Sequence, residues 1–97
     1  MEKRSWVYII TNRKDGVLYT GMTAHLKDRI ENHKTKKYKN SFSARYNLDK
    51  LVYFEEFTDI RDAYKREKQI KAGSRKKKVN LIESFNPEWK DLFEGIS

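Results

Sequence analysis

The chain has no cysteine, which excludes a disulfide framework and any thiolate metal centre. One proline and four glycines in 97 residues leave no Pro/Gly-rich linker, and no internal repeat breaks the chain into units. No apolar run approaches the ~20 residues that span a bilayer, and the one after the basic N-terminus is too short for a secretory signal. Histidine is scarce too: with only His25 and His33, a structural zinc site is not expected. Acidic residues are outnumbered, 14 against 22 Lys and Arg, for a net charge of +8. The expectation is a cytoplasmic protein folded as one domain over residues 1–97, with a modest core and no membrane partner.

What is present narrows this further. Aromatic residues make up 13% of the chain, which argues for a folded globule rather than a disordered basic tail. A pI near 9.7 suits a polyanionic partner, nucleic acid before an acidic membrane surface. The plainer alternative is charge that only keeps the domain soluble.

Residues 5–11 are β-branched and aromatic and read as a strand. Asp15-Gly16 is a turn signal, with Val17 to Thr20 as the returning strand of a hairpin. Both strands carry apolar side chains on both faces, so the hairpin belongs inside a layered fold. Thr23 is the expected N-cap of a helix through Lys36 that places Leu26 and Ile30 on one side. The stretch NSFSARYNL is ambiguous, with a short helix as one reading, and 51–57 is a third strand. Asp59 caps a helix with Ile60, Ala63, Tyr64 and Ile70 on one stripe, which Gly73 stops. Ser74 caps the next helix, bearing Val79, Ile82 and Phe85. Asn86-Pro87 looks like the start of a last short helix with Trp89, Leu92 and Phe93. The order β-β-α-(α)-β-α-α-α is an α+β fold, a small three-stranded antiparallel sheet flanked by helices.

Some residues sit oddly for a core. Arg29 and His33 are four apart, so their side chains can converge on one spot; alternatively His33 only closes the core with its polar edge wet and Arg29 reaches solvent. Glu67 stands in the middle of the apolar stripe from Ile60 to Ile70. An unpaired buried carboxylate is costly, so Glu67 is paired with Lys68 or Lys71, exposed in a cleft, or bound to a cation. Two basic groups, Lys34, Lys36, Lys37 and Lys39, and Arg75, Lys76, Lys77 and Lys78, suit phosphate contact, which carries no sequence information.

Taken in order, Tyr8, Tyr19-Thr20-Gly21, Arg29, His33 and Glu67 resemble the GIY-YIG nuclease family. Trp6-Val7-Tyr8 stands where that family has GIY and Tyr19-Thr20-Gly21 where it has YIG. Arg29 follows Tyr19 by ten residues and His33 comes four later. The REKQIK around Glu67 and the closing NPEWKDL are similar to the small standalone members. The resemblance implies that Tyr8, Tyr19, Arg29, His33 and Glu67 line one concave site over the sheet. It also implies one divalent metal, Mg²⁺ or Mn²⁺, with Glu67 as its only protein ligand. The expected partner is nucleic acid, DNA ahead of RNA. By similarity, Tyr8 with His33 positions or deprotonates a water, Tyr19 orients the phosphate or assists that base, Arg29 holds the phosphate oxygens and Glu67 with its metal stabilises the leaving oxygen. A tyrosine base requires a phenol pKa pulled down by Arg29 or the metal.

If the hairpin loop has an even number of residues, Tyr8 and Tyr19 are expected opposite each other on one sheet face. Gly21 is expected to leave room for a backbone turn or an approaching phosphate. Trp6, Val7 and Thr20 depart from the motif, and either Asn80 or Asn86 fills the family's late polar position. The expected activity is metal-dependent hydrolysis of DNA phosphodiesters, directed at a structure rather than a sequence. The rival is a basic nucleic-acid-binding module of the same fold without turnover.

Overall fold

The computed structural model describes residues 4–96. Strand β1 (Ser5–Thr11) lies between β2 (Leu18–Thr23) and β3 (Lys50–Phe57), antiparallel to both. Its central place explains a run with no polar face: Val7, Tyr8, Ile9 and Ile10 are all at most 1% exposed because each side of the strand meets a helical layer. Val7 and Ile9 pack with Ala63 and Ile70 of α3 (Ile60–Ala72) and Ile82 of α4 (Arg75–Phe85). Tyr8 and Ile10 pack on the other face with Leu26 and Ile30 of α1 (Leu26–Thr35). A short α2 (Phe42–Arg45) and a 3₁₀ turn (Phe93–Gly95) complete the described elements. The α+β architecture read from the sequence is the one observed.

The pairing of β1 with β3 shifts between Ile9 and Ile10, since Ile9 faces Tyr53 while Ile10 faces Leu51. This bulge turns the consecutive residues Val52 and Tyr53 into the same core layer. At the hairpin, residues 12–17 form a loop of even length, because Thr11 pairs with Leu18. Thr11 Oγ1 lies 2.8 Å from the carbonyls of Arg13 and Val17, and the Val17 amide donates to Asn12 Oδ1. The loop is thereby held by its own polar side chains.

The caps are largely as expected. Asp59 accepts from the Arg61 amide at 2.9 Å and Ser74 from the Lys77 amide at 3.2 Å. Three local readings are corrected. Thr23 does not cap α1: His25 holds that position without a side-chain bond, and Thr23 Oγ1 accepts from the His25 amide instead. Ile60 and Tyr64 are exposed, at 59% and 48%, so the buried stripe of α3 narrows to Ala63 and Ile70. No helix starts at Pro87. Asn86 ends α4, and its side chain wraps the following turn by accepting from the Lys90 amide and donating to the Lys90 and Val52 carbonyls. Trp89 then takes φ of 56°, which no right-handed helix accommodates.

Among the described residues, no helix is long and apolar enough to cross a membrane.

Candidate active site

The register decides where the two tyrosines meet. Tyr8 pairs with Gly21 and Ile10 with Tyr19, so Tyr8 and Tyr19 share a face as diagonal neighbours rather than directly opposite. Their ring centroids are 6.5 Å apart. The position opposite Tyr8 has a particular reason to be glycine. A Cβ on Gly21 would lie 2.5 Å from the Tyr8 hydroxyl and 2.6 Å from Cζ. Gly21 therefore clears space for the phenol over the edge strand, and neither a turn nor a positive φ is involved.

Helix α1 lays Leu26 and Ile30 into the core beside Tyr8 and delivers Arg29 and His33 to the same end of the sheet. His33 Nε2 is 3.1 Å from the Tyr8 hydroxyl, and its Nδ1 is 2.8 Å from Ser43 Oγ on α2. The His33 ring lies 6.1 Å from that of Tyr19. Tyr19, Arg29 and His33 join Lys36, Tyr38 and Phe42 around a pocket of about 190 Å³. Larger hollows exist, one of about 690 Å³ over Met22, Ile60 and Tyr64; chemistry rather than size distinguishes the smaller one.

Glu67 reaches the group from another direction. It stands on α3, on the opposite layer from α1, where α3 packs against β1 and β2. Its carboxylate is largely covered, at 15% exposure, and lies 3.6 Å from the ammonium of Lys71, which is 52% exposed. Its charge still reaches the Tyr8 phenol. The Tyr8 phenol is thus met by Tyr19, Arg29 and His33 from the α1 layer and by the charge of Glu67 from the α3 layer.

The electrostatics reverse one expectation. Burial pushes the Tyr8 phenol above its ordinary range, the Tyr19 beside it adds to this, and the Arg29 guanidinium opposes them without prevailing. His33 moves down, first by burial and then by the Arg29 charge. Both groups are neutral at pH 7. Because folded His33 resists protonation more than an unfolded histidine near 6.5, the unfolded chain binds the extra proton as pH falls below that value. Folding stability is expected to decline with acidification from about pH 6.5. Thermal melts at pH 5 and pH 7.5 check this: His33→Gln should show a smaller difference than the parent, and an equal difference would remove His33 as the cause.

The basic residues divide. The ammonium of Lys34 is spent on Asp91 and the Asp49 carbonyl, and Lys36 donates to Asn47. Arg75 donates to the carbonyls of Asp15 and Gly16, fastening α4 to the hairpin. Lys34 and Arg75 are therefore structural ties first. Lys37, Lys39, Lys76 and Lys77 are exposed, and Lys78 is partly covered. Asn86 is buried with its amide committed to backbone, whereas Asn80 is exposed on α4.

Sequence reasoning missed Ser43 and the aromatics beside it. Phe42 and Tyr46 are 48% and 44% exposed with ring centroids 4.7 Å apart, and Phe42 lies 6.2 Å from Tyr19. A line of rings therefore leads from Tyr8 to the surface. Two aromatics four apart beside a Ser-x-Ser in the ambiguous stretch were the available signal.

A family model described as the GIY-YIG catalytic domain matches residues 4–80. The chain is 36% identical over 85 residues to a UPF0213 protein of Syntrophus aciditrophicus, covering 88% of this chain and 95% of that one. It is 42% identical over 84 residues to UPF0213 protein CPE1444 of Clostridium perfringens, covering 82% and 84%. Its fold is similar to the solution NMR structure of UPF0213 protein BH0048 from Bacillus halodurans, with a TM-score of 0.57, 30% identity and coverage of 91% and 92%.

Proposed function

The chain belongs to the GIY-YIG family, a family of nucleases, and from that premise we propose that it hydrolyses DNA phosphodiesters with the help of one divalent ion. The observation that carries this reading is the contact between Tyr8 and His33 beside Arg29. A neutral imidazole is positioned to take a proton, and a cation stands where phosphate charge would be held.

The donor chemistry fits the ion. No cluster of three His, Cys, Asp or Glu side chains that could hold a metal forms among the described residues, and Glu67 is a carboxylate whose charge reaches Tyr8. A hard ion that keeps most of its water is held in this way, by one or two carboxylates together with substrate phosphate. Glu67 would hold such an ion, Mg²⁺ or Mn²⁺, which when bound would supply positive charge for the phosphoryl and leaving oxygens. Everything else falls to the chain itself. Arg29 offers a planar fork of donors to the phosphate oxygens, and Tyr19 orients the same group. Tyr8, too weak an acid to act as an anion at neutral pH, holds the attacking water and relays its proton to His33 Nε2. The products are a phosphomonoester and an alcohol.

Substrate choice rests on the exposed aromatic and basic surface. Exposed Phe42 and Tyr46 suit stacking with unpaired bases, which is worth about 1–3 kcal/mol per base and is indifferent to sequence. Lys37, Lys39, Lys76 and Lys77 supply phosphate contacts. This supports a structure-selective enzyme acting where bases are unpaired. The pairing of Glu67 with Lys71 favours the rival, a module that binds without turnover. Incubation with duplex, single-stranded and branched DNA in Mg²⁺ or Mn²⁺, against EDTA, separates the two. Cleavage confined to the metal-containing reactions is expected, fastest where unpaired bases are present. Binding of all three without a cut product leaves only the module. In the same experiment Lys76→Ala with Lys77→Ala should weaken binding to every sequence alike, and unchanged affinity would take these lysines out of the interface.

A further inference from the structure

The Tyr8 hydroxyl hydrogen has an acceptor among the described residues. The side chain is 1% exposed, and a buried phenol hydrogen left without an acceptor is costly. His33 Nε2, at 3.1 Å, is the acceptor that meets it. Arg29, which faces the same oxygen, has only donors to offer. With that bond made Nε2 is the unprotonated nitrogen, an arrangement that holds only while Nδ1 keeps its hydrogen. In a neutral imidazole the hydrogen belongs to the other one, Nδ1, which lies 2.8 Å from Ser43 Oγ. Ser43 Oγ is placed to accept it, and its own hydrogen can pass to Ser41 Oγ at 3.2 Å, which also accepts from the Ala44 amide.

We propose that Ser43 is a positioning residue that fixes the Nδ1–H tautomer of His33 and so keeps Nε2 open to the proton of Tyr8. The seat is a firm one. Ser43 is 5% exposed, its helix is capped by Ser41, and its carbonyl accepts from the Leu48 amide at 2.8 Å. A carboxylate is the commoner partner for a functional imidazole and raises its basicity. A serine hydroxyl orients the ring without adding charge, so His33 stays neutral among Tyr8 of β1, Tyr19 of β2 and Arg29 of its own helix. The inference rests on the hydrolase reading only where rates are concerned.

Nitrogen-15 NMR of the His33 ring, in the full chain without metal at pH 7.5, tests it directly. The wild-type protein is expected to carry its hydrogen on Nδ1. Ser43→Ala should move it toward Nε2, and Ser43→Thr, which keeps the hydroxyl, should restore it. Where cleavage is measurable, Ser43→Ala should lower kcat by roughly 10–100-fold, the range for a partner that only orients a functional histidine, with little change in KM. A wild-type His33 in the Nε2–H form overturns the inference without any variant having to fold. An unchanged tautomer in Ser43→Ala overturns it equally. If the tautomer behaves as expected but the wild-type chain cuts no phosphodiester, the assignment of Ser43 stands and the hydrolase reading fails.

Discussion

Replacing Glu67 by Gln is expected to abolish metal-dependent cleavage while leaving the metal-free protein nearly as stable as before. The two effects have separate causes. A neutral amide holds a hard divalent cation far less well than a carboxylate, and loss of a group that stabilises developing charge costs on the order of 10²–10³ in rate. Stability depends on what Glu67 does in the free protein. If it were half of a buried ion pair, its neutralisation would strand a buried lysine at a cost of roughly 3–5 kcal/mol. The partner is instead Lys71, 52% exposed and 3.6 Å away on the same helix. Its ammonium returns to water when the carboxylate is removed. Pairs of this i,i+4 type contribute about 0.3–0.5 kcal/mol, and removing charge from a largely covered carboxylate offsets part of that. Melting curves without metal, beside cleavage assays in Mg²⁺ or Mn²⁺, decide the matter. A large fall in melting temperature with cleavage retained would overturn the assignment of Glu67 as the metal ligand.

Gly21→Ala should be damaging in both measurements, although it adds one methyl group to a strand. That carbon would sit 2.5 Å from the Tyr8 hydroxyl and 2.6 Å from Cζ, both at the working end of the ring. The phenol has little freedom to withdraw, since its ring is buried among Ile10, Leu26, Ile30 and Leu51. Overpacking of this kind costs roughly 1–3 kcal/mol, and each kcal/mol lowers the melting temperature of a domain this size by about 4–8 °C. The same displacement pulls the hydroxyl away from His33 Nε2. Misplacement of a reacting group by about 1 Å can cost 10²-fold in rate, so cleavage should fall further than stability alone explains. Circular dichroism melts and single-turnover cleavage check this pair of effects. A Gly21→Ala protein with parental stability and rate would show that Gly21 does not clear the space for Tyr8.

How far the site was legible depended on whether its parts were local. Arg29 and His33 announced themselves because a helix repeats every 3.6 residues and brings positions four apart together. Tyr8 and Tyr19 could be placed on one face by the parity of a loop, but their diagonal offset required the actual register. Ser43 was invisible as a partner of His33, since a contact across ten residues and an irregular connection leaves no periodic trace. The basic clusters illustrate the converse. In sequence Lys34 and Lys37 are equivalent charges, yet the fold carries Asp91 to Lys34 and sets Lys37 over the exposed ring of Tyr38. Asn86 was read as the start of a helix, and its long-range bond to the Val52 carbonyl made it the end of one.

The sequence by itself determined the strands, the main helices, the Asp59 and Ser74 caps, the basic character and the ordered motif of the family. All of these follow from local propensity, periodicity or spacing, which are properties of neighbouring residues. The tertiary structure alone decided which cations remain free, why position 21 must be glycine, from which layer Glu67 approaches and which nitrogen of His33 faces Tyr8. It also set the direction of the Tyr8 pKa. Burial depends on what two layers of helix exclude from the central strand, and that desolvation outweighs the single Arg29 charge that the sequence had suggested would lower it.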